Sequence, residues 1–246
     1  MATSYVTQAE TFDKIVRARR SVRVYDQDAL FDHEAVTRSL ERAILAPNSS
    51  NLQTWEFIRI TKKEDLAKAA ELCLGQNTAK TARELVAVVV RTDLWKKRRD
   101  WIMSDYRDSN SDAPERRVKV METYYNKLIP MVYTTDPLRI LSTVKRFGMF
   151  VAGLARPMYR MASHSDVRII GHKSAALAAG TFMLSMTAEG YSTCPMEGFD
   201  ASRMKQFLGL TGRTEICMMI SCGPAAEHGI YGARKRVAFS EVVRFK

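Results

Sequence analysis

Six consecutive apolar residues, Leu85-Val86-Ala87-Val88-Val89-Val90, constrain this chain more than any other stretch. Successive side chains of a strand turn to opposite faces, so an unbroken apolar run must be covered on both. The chain therefore needs a sheet with packed layers on either side. Residues 55–60 and 215–222 supply two further strands rich in apolar, aromatic and β-branched residues. Helical spacing appears at 8–20, where Phe12, Ile15, Val16 and Arg19 recur, and at 33–45, where Asp32 stands as N-cap. Residues 63–74 and 202–208 read as shorter helices. Residues 172–189 are apolar nearly all round and end at Gly190 in a C′ position, which predicts a central, buried helix. The order α, α, β, α, β, insertion, α, β predicts an α+β fold around a central sheet, followed by an extended tail at 237–245.

The chain has 246 residues, and their composition is that of a globular protein. That length suits one sizeable domain spanning 1–246. No apolar run approaches a membrane span, and the first residues lack a signal-peptide pattern, so the expected compartment is the cytoplasm. The four cysteines form no C-x-x-C pair, and the four histidines form no H-E-x-x-H. Structural thiols and no metal site are expected.

The net charge is +11. Residues 93–171 read as a basic, aromatic helical insertion punctuated by Pro137 and Pro157. No acid occurs between Asp136 and Asp166, whereas Arg139, Lys145, Arg156 and Arg160 alternate with Phe147, Phe150, Val151, Leu154 and Met158. A lid or dimer contact is the leading reading, with Trp95, Trp101, Tyr106, Tyr124 and Tyr125 as candidates for the lid. A membrane-surface segment and a nucleic-acid groove are the alternatives. No recognised nucleic-acid module is present, and no nucleic-acid partner is expected.

No G-x-G and no G-x-S-x-G occurs, which removes the common dinucleotide fingerprint and the nucleophile elbow. What remains is a set of separated polar groups. Arg19-Arg20-Ser21-Val22-Arg23 could grip an anion with guanidinium forks, although a solvated helix end is the simpler reading of these residues alone. Asn77 and Lys80 stand one helical turn apart. Pro47-Asn48-Ser49-Ser50-Asn51 reads as a polar loop, and Pro195-Met196-Glu197-Gly198-Phe199-Asp200 as a turn after the apolar helix.

Their order and combination resemble the FMN-dependent nitroreductase family, over most of the chain outside about 106–171. Arg19-Arg20-Ser21-Val22-Arg23 stands as R-R-S-x-R. The stretch Ala46 to Trp55 resembles A-P-S-x-x-N-x-Q-P-W, with Asn48 and Thr54 departing from it. Asn77 and Lys80 match N-x-x-K, residues 195–200 match P-I-E-G-F-D, and Arg234 and Arg236 match a basic C-terminal pair.

The resemblance implies a mostly antiparallel sheet flanked by helices, in a homodimer. It implies that Arg19, Ser21, Arg234 and Arg236 hold the FMN phosphate, with Arg23 and Lys80 near the flavin N1–C2 edge and Arg20 also among the cofactor-binding residues. It places Asn77 at the ring edge, the Glu197 and Gly198 amides at N5, and Ser49, Ser50 and Asn51 against the ring. Some of these contacts come from the partner chain in that family. The implied activity is ping-pong hydride transfer from NADH or NADPH, through the flavin, to a nitroaromatic, quinone or similar small acceptor, with no catalytic side chain. The alternatives are a dehalogenating or flavin-consuming relative, and a non-catalytic basic protein binding nucleic acid or a membrane surface.

Overall fold

The computed structural model describes residues 2–109, 113–134, 140–157, 159–161 and 163–246. Asp136, Pro137, Arg139 and Met158 lie outside them. Helices α1 (Ala2–Ala18) and α2 (His33–Ala43) precede β1 (Trp55–Ile60), and α3 (Lys63–Leu72) and α4 (Asn77–Lys80) lead into β2 (Glu84–Val90). The expected insertion contains α5 (Trp95–Ser109), α6 (Glu115–Thr123), α7 (Ile129–Tyr133) and α8 (Ile140–Ala155). Then follow α9 (His164–Ala188), β3 (Ser192–Met196), α10 (Ala201–Phe207), β4 (Glu215–Gly223) and α11 (Phe239–Val242).

The four strands form one sheet in the order β1-β2-β4-β3, antiparallel at every pairing. β2 is central and each of its residues is buried. Leu85, Ala87 and Val89 enter a core shared with α3, α4 and α10, whereas Val86, Val88 and Val90 enter a second core under α2 and α9. A third cluster ties Leu52 to Ile102, Met103, Tyr125, Ile129 and Tyr133 of the insertion, and to Val167 and Ile170 of α9. Each buried Val or Leu contributes roughly 1.5–3 kcal/mol, so this strand anchors both layers at once.

Local sequence explains most boundaries. The Asp32 side chain accepts from the Glu34 amide and caps α2. Gly190 takes φ +85°, and α9 ends there with the Tyr191 amide donating back to the Met186 carbonyl. Gly171 lets α9 cross the end of β2, because a Cβ there would lie 2.7 Å from both Val90 and Thr92 side chains.

Several expectations are corrected. α9 starts at His164, closed by a reciprocal Ser163–Asp166 capping box, so its first two turns belong to the stretch read as insertion. It is not buried all round, since Ala176 and Leu177 are exposed. β3 occupies residues 192–194, for which no element is expected, and the first two residues of the expected turn. α1 extends back to Ala2, and its Phe12 is 58% exposed. The tail is not wholly extended, because it contains α11. Among the described residues, no helix is long and apolar enough to cross a membrane.

Two ion-pair clusters lock α2 in place. Glu84, fully buried at the start of β2, accepts from Arg59 and lies 2.9 Å from His33 Nδ1. Glu189, just past α9, accepts from Arg38 at 2.7 Å and Arg42 at 2.5 Å. These two guanidiniums pull its carboxyl down to about 2. A carboxylate depressed in the folded state adds stability above its ordinary range, and that stability is lost as pH falls through the folded value. Glu189→Gln is therefore expected to lower the urea midpoint at neutral pH. The gap to the parent chain should narrow steadily below pH about 4, as denaturation series at several pH values would show.

Candidate functional site

Past α1 the chain runs out as a short strap. Ser21 bridges Thr193 of β3 in parallel, the Val22 amide donates to the Thr193 carbonyl, and the Arg23 amide donates to the Gly229 carbonyl at 2.6 Å. Val22 and Tyr25 are buried in the core shared with α3, α4 and α10. A buried hydroxyl network fixes the strap. Tyr25 donates to the Ser221 carbonyl at 2.9 Å and lies 2.8 Å from the Ser221 hydroxyl. Thr78 of α4 donates to the Val22 carbonyl at 2.8 Å and also meets the Ser221 hydroxyl. Burial pushes the Tyr25 phenol far up, which keeps it a donor at any ordinary pH.

The strap forms one wall of a basin of about 300 Å³. Arg19, Arg20, Ser21 and Arg23 line one side, and Arg234, Lys235 and Arg236, with Tyr231, line the other. The lining holds six cations and no carboxylate. Partial burial lowers the Arg19 pKa, helped by the charges of Arg234, Arg236 and Arg20. Arg19, partly buried among like charges with no acid in the lining, makes the basin a candidate site for an anion. The six are not equally free. Arg234 donates to the Arg17 carbonyl at 2.9 Å and the Arg19 carbonyl at 2.5 Å, clasping the C-terminal end of α1. Arg20 donates to the Gly232 carbonyl at 2.7 Å.

Thr78 carries the strap to α4, where Asn77 and Lys80 are exposed. Gln76 extends the arrangement, because its amide donates to the Gly198 carbonyl at 2.7 Å. The Asp200 amide donates to the Leu72 carbonyl and pins the same turn to α3. Among the described residues, nothing accepts from the Glu197 or Gly198 amides, so both remain available to a ligand.

The loop after α2 lies elsewhere. Ser50, Asn51 and Gln53 all take left-handed φ values, held by the Asn48 side chain accepting from the Gln53 amide at 2.7 Å. The Ser49 amide donates to the Ser174 hydroxyl of α9, the Ser50 hydroxyl pairs with Tyr124 at 2.7 Å, and Tyr125 donates to the Ser50 carbonyl.

The sequence model of the nitroreductase family matches residues 16–224. MhqN of Bacillus subtilis, provisionally named an NAD(P)H nitroreductase, is 45% identical over 212 residues, covering 86% of this chain and 87% of that protein. The chain belongs to the nitroreductase family. Solved structures share its fold. A Bacillus subtilis nitroreductase-type protein, ydfN, superposes with a TM-score of 0.76 at 20% identity, covering 97% of this chain and all of that one. An Exiguobacterium sibiricum nitroreductase-type protein solved in complex with FMN has a TM-score of 0.64 at 24% identity, with 96% and 97% covered.

In this nitroreductase-family chain, Arg19, Arg20, Ser21, Arg23, Arg234 and Arg236 meet at the basin, with Asn77, Lys80, Glu197 and Gly198 tied to it through Thr78 and Gln76. Ser49, Ser50 and Asn51 do not join them. They rest on α9, which covers the sheet face opposite α4, and on Tyr124 and Tyr125 of the insertion. Lys235 and Gln76 were missed by sequence reasoning. Lys235 stands between two arginines that were identified, and Gln76 directly precedes Asn77. The Tyr25–Ser221–Thr78 network had no local signal, since its hydrogen bonds join residues 56 to 196 positions apart. Tyr25→Phe removes both bonds to Ser221 and should cost about 1–2 kcal/mol, measured by chemical denaturation.

Proposed function

We propose that the chain is an FMN-dependent oxidoreductase that carries hydride equivalents from NADH or NADPH to a nitroaromatic, quinone or similar small acceptor. The observation that carries this reading is the uncompensated positive charge of the basin, beside a turn with two free amides. MhqN's name and the FMN complex of the Exiguobacterium sibiricum protein point the same way. Bound FMN would supply the two-electron chemistry at N5.

The chain's own residues bind and orient. Arg19, Arg20, Ser21 and Arg236 would hold the phosphate, with Arg234 securing the end of α1 that presents them. Arg23 and Lys80 would stabilise negative charge at the N1–C2 edge of the reduced ring, and Asn77 would bond the ring edge. The Glu197 and Gly198 amides would face N5. No side chain is needed as acid, base or nucleophile. Donor and acceptor would take turns on the same open face, which gives ping-pong kinetics. The helices within 93–171 would act as a lid on that face.

A homodimer completes the site. The sheet separates the Ser49–Asn51 loop from the basin of its own chain, so that loop would reach the flavin held by a second copy. The open side of α9, where Leu177 is 51% exposed, together with Phe12 and Val16 of α1, offers a self-complementary apolar face.

An absorbance spectrum of the purified chain tests the function. A flavin band that anaerobic NADH or NADPH bleaches supports it, and failure to take up added FMN overturns it. Arg19→Ala should weaken FMN retention at least tenfold (a phosphate–guanidinium contact worth about 1.4 kcal/mol or more), read by flavin release on dilution. Leu177→Glu should shift the chain toward monomer in sedimentation velocity and loosen FMN along with it.

A further inference from the structure

One side chain ties the Glu197–Gly198 turn to the junction of α3 and α4. Gln76 stands at the N-cap of α4, yet its side chain makes no cap hydrogen bond. Its Nε2 instead donates to the Cys73 carbonyl at 3.1 Å and to the Gly198 carbonyl at 2.7 Å. Both protons of that amide are thereby spent. The backbone bends sharply to put Gln76 there, since Leu74 and Gly75 take φ +58° and +63°. The left-handed region suits Gly75 but strains a residue with a side chain such as Leu74.

The orientation of the turn follows from the bond to Gly198. In a trans peptide the carbonyl and the N–H point in opposite directions, and the chain has no cis bond among the described residues. Gln76 holds the Gly198 carbonyl, so the Phe199 N–H projects from the other edge of that plane. There it donates to the Glu197 carbonyl at 3.2 Å. The Glu197 carbonyl is fixed in turn, which sends the Gly198 N–H out on the far side of its own plane. Among the described residues, nothing accepts from it. Gly198 also leaves room for a ligand. Its φ is not left-handed, and beyond its chain neighbours a Cβ there would have only the Gln76 Nε2 within 4 Å, at 3.4 Å. The described packing does not require glycine at this position; a ring lying close against the backbone would.

We infer that Gln76 is a positioning residue for the flavin, aiming the Gly198 amide at N5 through two consecutive peptide planes. This rests on the proposed function, which puts that amide at N5. Gln76 acts through the turn and touches neither ring nor phosphate. Gln76→Met keeps the length of the side chain and removes the donor. Gln76→Glu keeps its shape and sets an acceptor against the Gly198 carbonyl.

The test compares FMN with 5-deaza-FMN, in which a C–H replaces N5 and accepts no hydrogen bond. Each is titrated into the flavin-stripped full chain, and affinity is read from flavin fluorescence. The parent chain should prefer FMN by about threefold or more, the worth of one hydrogen bond. In both Gln76 variants that preference should shrink by about half or more. Arg19→Ala, acting on the phosphate that both flavins share, should lower both affinities alike and keep the preference. A parent chain that binds the two flavins equally overturns the inference. So do Gln76 variants that keep the parent's preference, whether or not they lose affinity for both flavins, because that is what a merely structural role gives. Thermal midpoints report whether each variant is folded, and if one is not, the other decides. A parent chain that takes up neither flavin overturns the proposed function and this inference with it, whereas one that binds FMN and fails the comparison removes this inference alone.

Discussion

β2 has no face open to water, and the layout of the whole molecule answers that requirement. Its alternate residues belong to different cores, so a layer must cover each side. α2 and α9 cover one, and α3, α4 and α10 cover the other. Every segment attached to a layer inherits its side. The strap, α4 and the Glu197–Gly198 turn are fastened to the second layer by Thr78, Tyr25 and Gln76, whereas the Ser49–Asn51 loop is fastened to α9. Partition by the sheet decides which candidate residues can act together within one chain.

On the side of the strap, packing and electrostatics pull in opposite directions. The buried hydroxyls hold Ser21, Val22 and Arg23 where the C-terminal segment brings Arg234 to Arg236 against them. Arg19 bears the result, since burial and three like charges oppose its protonated form. Part of that repulsion is absorbed by carbonyls, as Arg234 caps the end of α1 and Arg20 reaches Gly232. An anion in the basin would relieve the remainder. A ligand that binds the folded state alone stabilises it, so a phosphate in the basin would tighten the junction of α1 with the C-terminal segment as well as anchor itself.

The apolar run at 85–90 made the two-layered sheet legible, and Asp32 and Gly190 marked helix ends because caps are local chemistry. β3 was hidden: Ser192, Thr193 and Pro195 do not read as a strand, and only pairing with β4 makes them one. The start of α9 was misplaced because its first turns carry His164, Asp166 and Arg168, which blend with the basic stretch before them. The arginine cluster was legible as a set of donors. That Arg234 spends its donors on α1 was not, because such bonds join residues more than 200 positions apart.

The reading of 172–189 as a helix needing apolar cover on all sides described its chemistry correctly and its cover incorrectly. The chain's own sheet and α2 bury one side, and Ala176 and Leu177 face outward on the other. Leaving such a surface in water forfeits roughly 25 cal/mol per Å² that association would recover. In the proposed homodimer, the same contact that covers α9 carries the Ser49–Asn51 loop, anchored on that helix at Ser174, toward the partner's basin. Two-fold symmetry makes the exchange mutual, so each chain gives one loop and receives one. Burial of the α9 stripe and completion of the flavin site are then a single event, and weakening either must weaken the other.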